Sequence, residues 1–312
     1  MAFLANIFGY VLNFFYSLIG NYGLAIILFC LVIKVLMIPL SIKQQKTQKK
    51  TVKLQSQMKQ IQFQYKNDPE KMNQATMELY KRENMSPFSG CLVAIIQMIL
   101  LFAVFFMVKE PLTYMKKIEP ELIEKYVNVL KEEQLISNEA YSQIAVISEA
   151  DRIKDMKETG NTQYSEKDQK ISDAIGENID QVYTNMNFLG IDLSKVPTQS
   201  PQDFRVYIIP VLYVISSFIS IKLTTAMQTP KKKDEPIEVE GGEEGKEKKD
   251  LDKKQEDMMA NTNKMMSWFM PVMAVSISLI APLGLALYWL TNNILMIVER
   301  LILNKVLRDE EE

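Results

Sequence analysis

Lys34 is the only charged residue among residues 1–40. An ammonium group set in an apolar run can attract an anion, and low local dielectric strengthens that attraction over its value in water. Gln97 stands in a second apolar run and can hydrogen-bond either a neighbouring helix or a visiting chain. Tyr288, Trp289, Thr291, Asn292 and Asn293 form a polar and aromatic stretch in the last apolar run. Lys34 and Gln97 suit the lining of a hydrated cavity, and Tyr288 and Trp289 either join that lining or form an interface belt. The chain has no His, so His-based triads, proton shuttles and zinc sites do not arise. Cys30 and Cys91 both lie in apolar runs, where reduced packing residues are expected. No GxxxxGK[ST], GxGxxG or HExxH pattern occurs. An enzyme is therefore not expected, and neither a cofactor nor a metal site.

The elements that must hold these residues follow from segregation of apolar and charged side chains. The chain is 47% hydrophobic and 24% charged, averages that resemble a soluble protein. Yet residues 265–298 carry no charge at all, while residues 231–257 are nearly all charged or small. A helix crosses the roughly 30 Å hydrocarbon core in about 20 residues. The expected fold is all-α, a membrane protein with five transmembrane helices. The spans are read at 21–41, 88–108, 206–227, 265–281 and 282–303. The last two share an uncharged run too long for one crossing, and Ala281-Pro282-Leu283-Gly284 reads as the turn between them. Residues 1–20 show apolar 3/4 spacing with Asn6, Asn13 and Ser17 opposite, which suits an amphipathic helix in the outer interface. A signal or further spanning helix is the alternative.

Loop charge sets the orientation. Residues 41–89 hold ten basic residues against Asp68, Glu70, Glu78 and Glu83, so this loop is expected in the cytoplasm. Residues 109–205 hold 12 basic and 18 acidic residues and are expected outside. The N-terminus is then outside, and the tail 304–312 is cytoplasmic. The segment 42–87 reads as a helical hairpin. Leu54, Met58, Ile61 and Tyr65 mark one stripe, and Met72, Thr76, Leu79 and Tyr80 the other. Asn67-Asp68-Pro69 is the break, with Asp68 as N-cap and Pro69 as first helical residue. Lys46, Lys49, Lys50, Lys53, Lys59, Tyr65, Asp68 and Pro69 are its candidate docking residues. The hairpin either fixes topology and touches anionic lipid, or docks a ribosome or client. Residues 109–205 are expected to form a small helical cap, with Ser137 and Ser165 capping runs that contain Tyr141, Ile144, Ile147 and Ile153, and Ile171, Ile175, Ile179 and Val182. Residues 228–264 read as a disordered charged linker.

Depth sharpens the question of Lys34. It stands eight residues before Ile42, hence about 12 Å from the cytoplasmic end of its helix. An ionised side chain near mid-membrane costs at least ~2.5–3.5 kcal/mol by insertion scales. The spans are read as offering it no acidic partner. Lys34 must then see water, backbone carbonyls or a visiting ligand, which calls for a hydrated cavity open to the cytoplasm.

Several motifs together resemble the YidC/Oxa/Alb family of membrane protein insertases. They are Asn21-Tyr22-Gly23-Leu24-Ala25-Ile26-Ile27 with Lys34 and Pro39-Leu40, and Tyr65-Lys66-Asn67-Asp68-Pro69 with Leu79-Tyr80-Lys81. Ser86 to Leu92 with Ile96-Gln97-Met98, Phe188 to Leu193, and Pro282 to Trp289 with Asn292 follow in order. The resemblance implies five spans around a hydrophilic groove, open to the cytoplasm and sideways to lipid but closed outside. Lys34, Gln97, Tyr288 and Trp289 would be its substrate-binding residues. The family usually has Arg at the position of Lys34, so the charge is kept and the guanidinium fork is lost. Val93-Ala94 and Ile99 stand where family prolines are expected, and residues 116–185 lie outside the common core. The implied function is insertion of nascent membrane proteins into the bacterial plasma membrane without nucleotide hydrolysis. The implied partners are nascent membrane proteins, the lipid bilayer, a ribosome and the secretion channel, with no nucleic-acid specificity. A folding and assembly chaperone beside that channel would use the same surfaces. A solute transporter is disfavoured, since no inverted repeat is evident.

Overall fold

The computed structural model describes residues 2–66, 68–84, 89–136, 138–160, 164–228, 273 and 275–309. The protein is an all-α membrane protein. Among the described residues, four helices are long and apolar enough to cross a membrane: Ala2–Ile19, Tyr22–Leu54, Phe204–Ala226 and Leu283–Val306, with a shorter apolar stretch at Ile95–Lys109. All of the linker expected at 228–264 except Gln228, the start of the span expected at 265–281, Asn67 and Ser137 lie outside the described residues, as do the side chains of Lys59 and Cys91.

Helix α1 (Ala2–Ile19) ends at Gly20, whose φ of 69° reverses the chain. Helix α2 (Tyr22–Gln64) opens on an N-cap at Asn21, whose side chain accepts from the Leu24 amide at 3.1 Å. It continues through Pro39 for 43 residues. Proline removes one backbone hydrogen bond there, but the following Lys, Gln and Thr run contains no further Gly or Pro to stop the helix. The first expected span and the first hairpin arm are thus one rod.

Helix α3 (Pro69–Arg82) folds back on α2. Asp68 accepts from the Lys71 amide at 3.1 Å, and Pro69 takes the first turn, where its missing N–H is harmless. Leu54 and Leu79 are buried, the Tyr80 hydroxyl meets Met58 Sδ at 3.7 Å, and Arg82 donates to Gln57 at 2.6 Å. Helix α4 (Ser89–Lys109) then returns toward the cap.

The cap contains α5 (Pro111–Tyr114), α6 (Pro120–Glu132), α7 (Ser142–Glu158), α8 (Glu166–Ile175) and α9 (Ile179–Val182). Its core takes most of the positions that the spacing marks, Ile144, Ile147 and Ile153 on α7, Ile171 and Ile175 on α8, and Val182, while Tyr141 and Ile179 are half-buried against it. Tyr126 fills the centre, fully buried, with its hydroxyl accepting from Asn178 at 3.1 Å. Ser165 and Asp168 form a reciprocal capping box at α8, and Arg152 reaches Asp168 at 2.6 Å.

These contacts hold the Asp168 carboxyl at about 2, down from the ordinary 3.8, chiefly through the Ser165 hydroxyl and amide, with Arg152 adding to the pull. A depressed carboxylate contributes stability above its unfolded value and loses it as pH falls through the folded value. Asp168→Asn should therefore be less stable than wild type at neutral pH. That gap should close as pH falls from about 4 to about 2, followed by helical circular dichroism in detergent. A gap that persists at pH 2 would contradict the assignment.

A two-residue ladder, β1 (Asn187–Phe188) with β2 (Ile191–Asp192), closes the cap. Its following loop meets the start of the last helix, α11 (Leu283–Asp309), after α10 (Ile208–Gln228). The Leu283 amide donates to the Lys195 carbonyl at 3.0 Å and the Gly284 amide to Leu193 at 2.9 Å. These are amides that a helix start leaves without intrahelical partners. Both ends of α1 also meet this region. Asn6 accepts from Lys117 at 2.6 Å, and the Tyr16 hydroxyl accepts from the Asn185 amide at 2.9 Å.

Candidate functional site

The packed core of the bundle lies at its cap end. On α2 it comprises Tyr22, Ala25, Ile26, Phe29 and Cys30; on α4, Ala103, Val104, Met107 and Val108; on α11, Leu283 to Leu290. Toward the hairpin end these helices diverge from tight packing and a cleft opens. Its volume is about 40 Å³. The sealed end is framed by Phe29, Cys30 and Val104, and the polar lining comes from Lys34, Ser41, Gln44, Gln97, Tyr288 and Asn292.

Three of the four residues expected to bind substrate thus share one cleft: Lys34, Gln97 and Tyr288. Trp289 is not among its lining residues; its ring lies 6.3 Å from that of Tyr213, across the contact of α11 with α10. The helical phase explains the split. Adjacent residues on a helix point about 100° apart, and on α11 that step turns Trp289 toward Tyr213 on α10 while Tyr288 lines the cleft. Ser41 and Gln44 were not expected. They follow Lys34 by seven and ten positions on the unbroken α2, so the same face is carried past the expected span end.

Lys34 has a partner, which corrects the expectation of none. Its Nζ lies 2.9 Å from Glu299 Oε2, and the two side chains are only 20% and 14% exposed. Tyr22 packs beside Gly284, so α2 and α11 start at the same level and run the same way. Lys34 is then about 18 Å and Glu299 about 24 Å below that level. A lysine stem reaching toward the hairpin end spans the difference. Glu299 lies inside the span expected at 282–303, so the expectation that the spans offer no acidic partner overlooked it; the parallel descent of the helices brings it to Lys34.

Polar side chains also tie α11 to α10. Asn293 donates to Ser216 at 2.9 Å and to Ser217 at 3.3 Å, and Arg300 hydrogen-bonds Thr224. Asn293 and Arg300 are seven residues apart, two turns on one face. Away from these contacts α10 presents Val211, Leu212, Ile215, Phe218 and Ile219, all exposed. Exposed apolar faces around buried polar contacts are what lipid solvation selects.

The docking residues expected on the hairpin fall on α2, α3 and their connection. Lys46, Lys49, Lys50 and Lys53 are on the second half of α2, Tyr65 follows its last turn, and Asp68 with Pro69 begins α3. They are well separated in sequence from the cleft residues other than Ser41 and Gln44. The chemistry available in the cleft is electrostatic and hydrogen-bonding, with Lys34 as the charged residue of its lining and Glu299 as the ion-pair partner of that lysine.

The sequence pattern of the family described as 60Kd inner membrane protein matches residues 14–310. Relatives described as "Membrane protein insertase YidC" are similar over shorter stretches. That of Caldanaerobacter subterraneus is 37% identical over 109 residues, 35% of this chain and 53% of the relative. That of Fusobacterium nucleatum is 37% identical over 102 residues, 33% of this chain and 50% of the relative. That of Geobacter sulfurreducens is 42% identical over 104 residues, 33% of this chain and 20% of the relative. The matched stretches thus span about half the length of the first two and about a fifth of the third. With its pattern matched over nearly the whole chain, this protein belongs to the 60Kd inner membrane protein family.

Proposed function

We propose that this protein is a membrane protein insertase of the bacterial plasma membrane. It moves nascent membrane proteins from the cytoplasm into the bilayer through the cleft, without nucleotide hydrolysis. The observation that carries this reading is the convergence of Lys34, Gln97, Tyr288 and Asn292 in one cleft whose cap end is packed. Five spans, at 21–41, 88–108, 206–227, 265–281 and 282–303, surround this groove. The N-terminus is outside and the C-terminus in the cytoplasm, as loop charge favours. Helix α1 lies in the outer interface, a placement supported by the contacts of both its ends with the cap side, at Lys117 and Asn185.

A nascent chain, delivered by a ribosome, meets the basic hairpin formed by α2 and α3. Its short polar or acidic outer segment enters the groove, where the lysine charge attracts it and Gln97 offers hydrogen bonds. Its apolar helix leaves sideways along α10 and α11. Transfer of that helix to lipid, with any membrane potential, supplies the drive. Cooperation with the secretion channel is part of the same reading.

The test is reconstitution in liposomes without a secretion channel. A short single-span client with an acidic outer segment is presented to wild type, Lys34→Arg and Lys34→Ala. Protease protection of the client is expected with wild type and Lys34→Arg and lost with Lys34→Ala. Protection with none of the three would favour a channel-associated folding chaperone. Equal protection with all three would keep the insertase and remove Lys34 as its essential charge.

A further inference from the structure

The cation of the cleft is already occupied. Lys34 Nζ makes one hydrogen bond among the described residues, to Glu299 Oε2 at 2.9 Å. The second carboxylate oxygen, Oε1, is buried without a hydrogen-bond partner among the described residues. A bridge built to hold two helices together would use both oxygens, because each unpaired buried acceptor carries a desolvation penalty. This carboxylate is attached at one point only. An ammonium group has three donors, so Lys34 can accept a second carboxylate before it releases the first. The backbone of Glu299 is meanwhile fixed by its neighbour, since Arg300 is hydrogen-bonded to Thr224 on α10. Release of Glu299 therefore needs only a side-chain rotation, without movement of α11.

We propose that Glu299 is a resident competitor for the Lys34 site, displaced by an acidic segment of the incoming chain, and that it sets how strongly the cleft prefers acidic over neutral polar segments. The inference rests on the insertase reading for the nature of the ligand. With Glu299 in place, the pair presents little net charge. An acidic segment gains the lysine only by giving up the attraction that Glu299 already enjoys, so exchange is close to balanced. A neutral segment is neither strongly attracted nor repelled. The carboxylate thus lowers discrimination and keeps the cleft open to clients with few acidic residues.

The experiment measures equilibrium binding of two soluble peptides to the full chain in nanodiscs. The peptides are identical except that the aspartates of one are asparagines in the other. In Glu299→Gln the ratio of acidic to neutral affinity should rise about fivefold, equivalent to about 1 kcal/mol. In Lys34→Gln/Glu299→Gln it should fall to the wild-type ratio or below. An unchanged or lower ratio in Glu299→Gln overturns the proposal. So does an equal rise in the double variant, because the effect would then bypass Lys34. If Glu299→Gln does not fold, Glu299→Asp withdraws the carboxylate by one methylene and keeps its charge. A rise in ratio, smaller than fivefold, then supports the proposal, and no rise overturns it. Insertion by wild type in liposomes is read separately. A shifted binding ratio without insertion would overturn the insertase reading alone, and insertion with a flat ratio would overturn the competitor alone.

Discussion

Lys34→Ala is expected to lose stability as well as insertion of acidic clients, and Lys34→Ala/Glu299→Ala to regain stability alone. Removing the lysine leaves the Glu299 carboxylate, 14% exposed, with neither of its oxygens paired. Breaking a buried ion pair from one side costs on the order of 3–5 kcal/mol, and partial exposure puts this pair near 3. Removing both charges lifts the desolvation penalty together with the attraction, which is often close to neutral. Unfolding in detergent should therefore rank wild type and the double variant together, with the single variant below. Insertion of an acidic client should fail in both variants, because the anion-binding group is gone. A single variant as stable as wild type would mean that Glu299 finds water in the cleft. Recovery of acidic-client insertion by the double variant would mean that another group binds the anion. The comparison also tells whether a Lys34→Ala defect is one of binding or of folding.

Gly9→Ala should detach α1 from the cap. A Cβ at Gly9 would stand 1.8 Å from the Tyr114 carbonyl oxygen and 2.4 Å from its carbon. Alanine is the better helix former by about 1 kcal/mol. Overpacking costs about 1–3 kcal/mol and exceeds that where the obstacle is backbone, which cannot rotate aside. The clash wins, with a net loss of about 2 kcal/mol. The Asn6 bond to Lys117 and the stacking of Lys117 on Tyr10 at 4.1 Å would loosen with it. A Cβ at Gly23 would stand 2.5 Å from the Phe188 ring and 2.7 Å from the Phe188 Cβ, which ring rotation does not move, so Gly23→Ala should also cost stability. Hydrogen exchange over residues 2–19 is the measurement. Faster exchange in Gly9→Ala is expected, and exchange equal to wild type would show that the contact does not hold the helix.

Much of this architecture was legible one segment at a time. Asp68 and Pro69 marked the start of α3, because a carboxylate before a proline satisfies a helix start through local bonds. The spacing of Ile144, Ile147 and Ile153 marked the buried face of α7. The uncharged runs marked the apolar helices, and Lys34 stood out because charge is rare in such surroundings. Each of these signals acts over a few turns of chain. Composition, capping and periodicity carry them in full.

What the sequence left open depends on the relative depth and phase of distant elements. Glu299 is 265 residues from Lys34 and is paired with it only because α2 and α11 begin at one level and descend together. The continuity of α2 through Pro39 turns Ser41 and Gln44 into cleft residues. The phase of α11 sends Tyr288 into the cleft and Trp289 toward Tyr213. Carbonyls of Leu193 and Lys195 in the cap supply the partners for the first amides of α11. Hydrophobic pattern says that a helix has a buried face, but burial is non-directional and does not name the partner. Packing in three dimensions chooses it, and here that choice joins a lone cation to the carboxylate that governs its access.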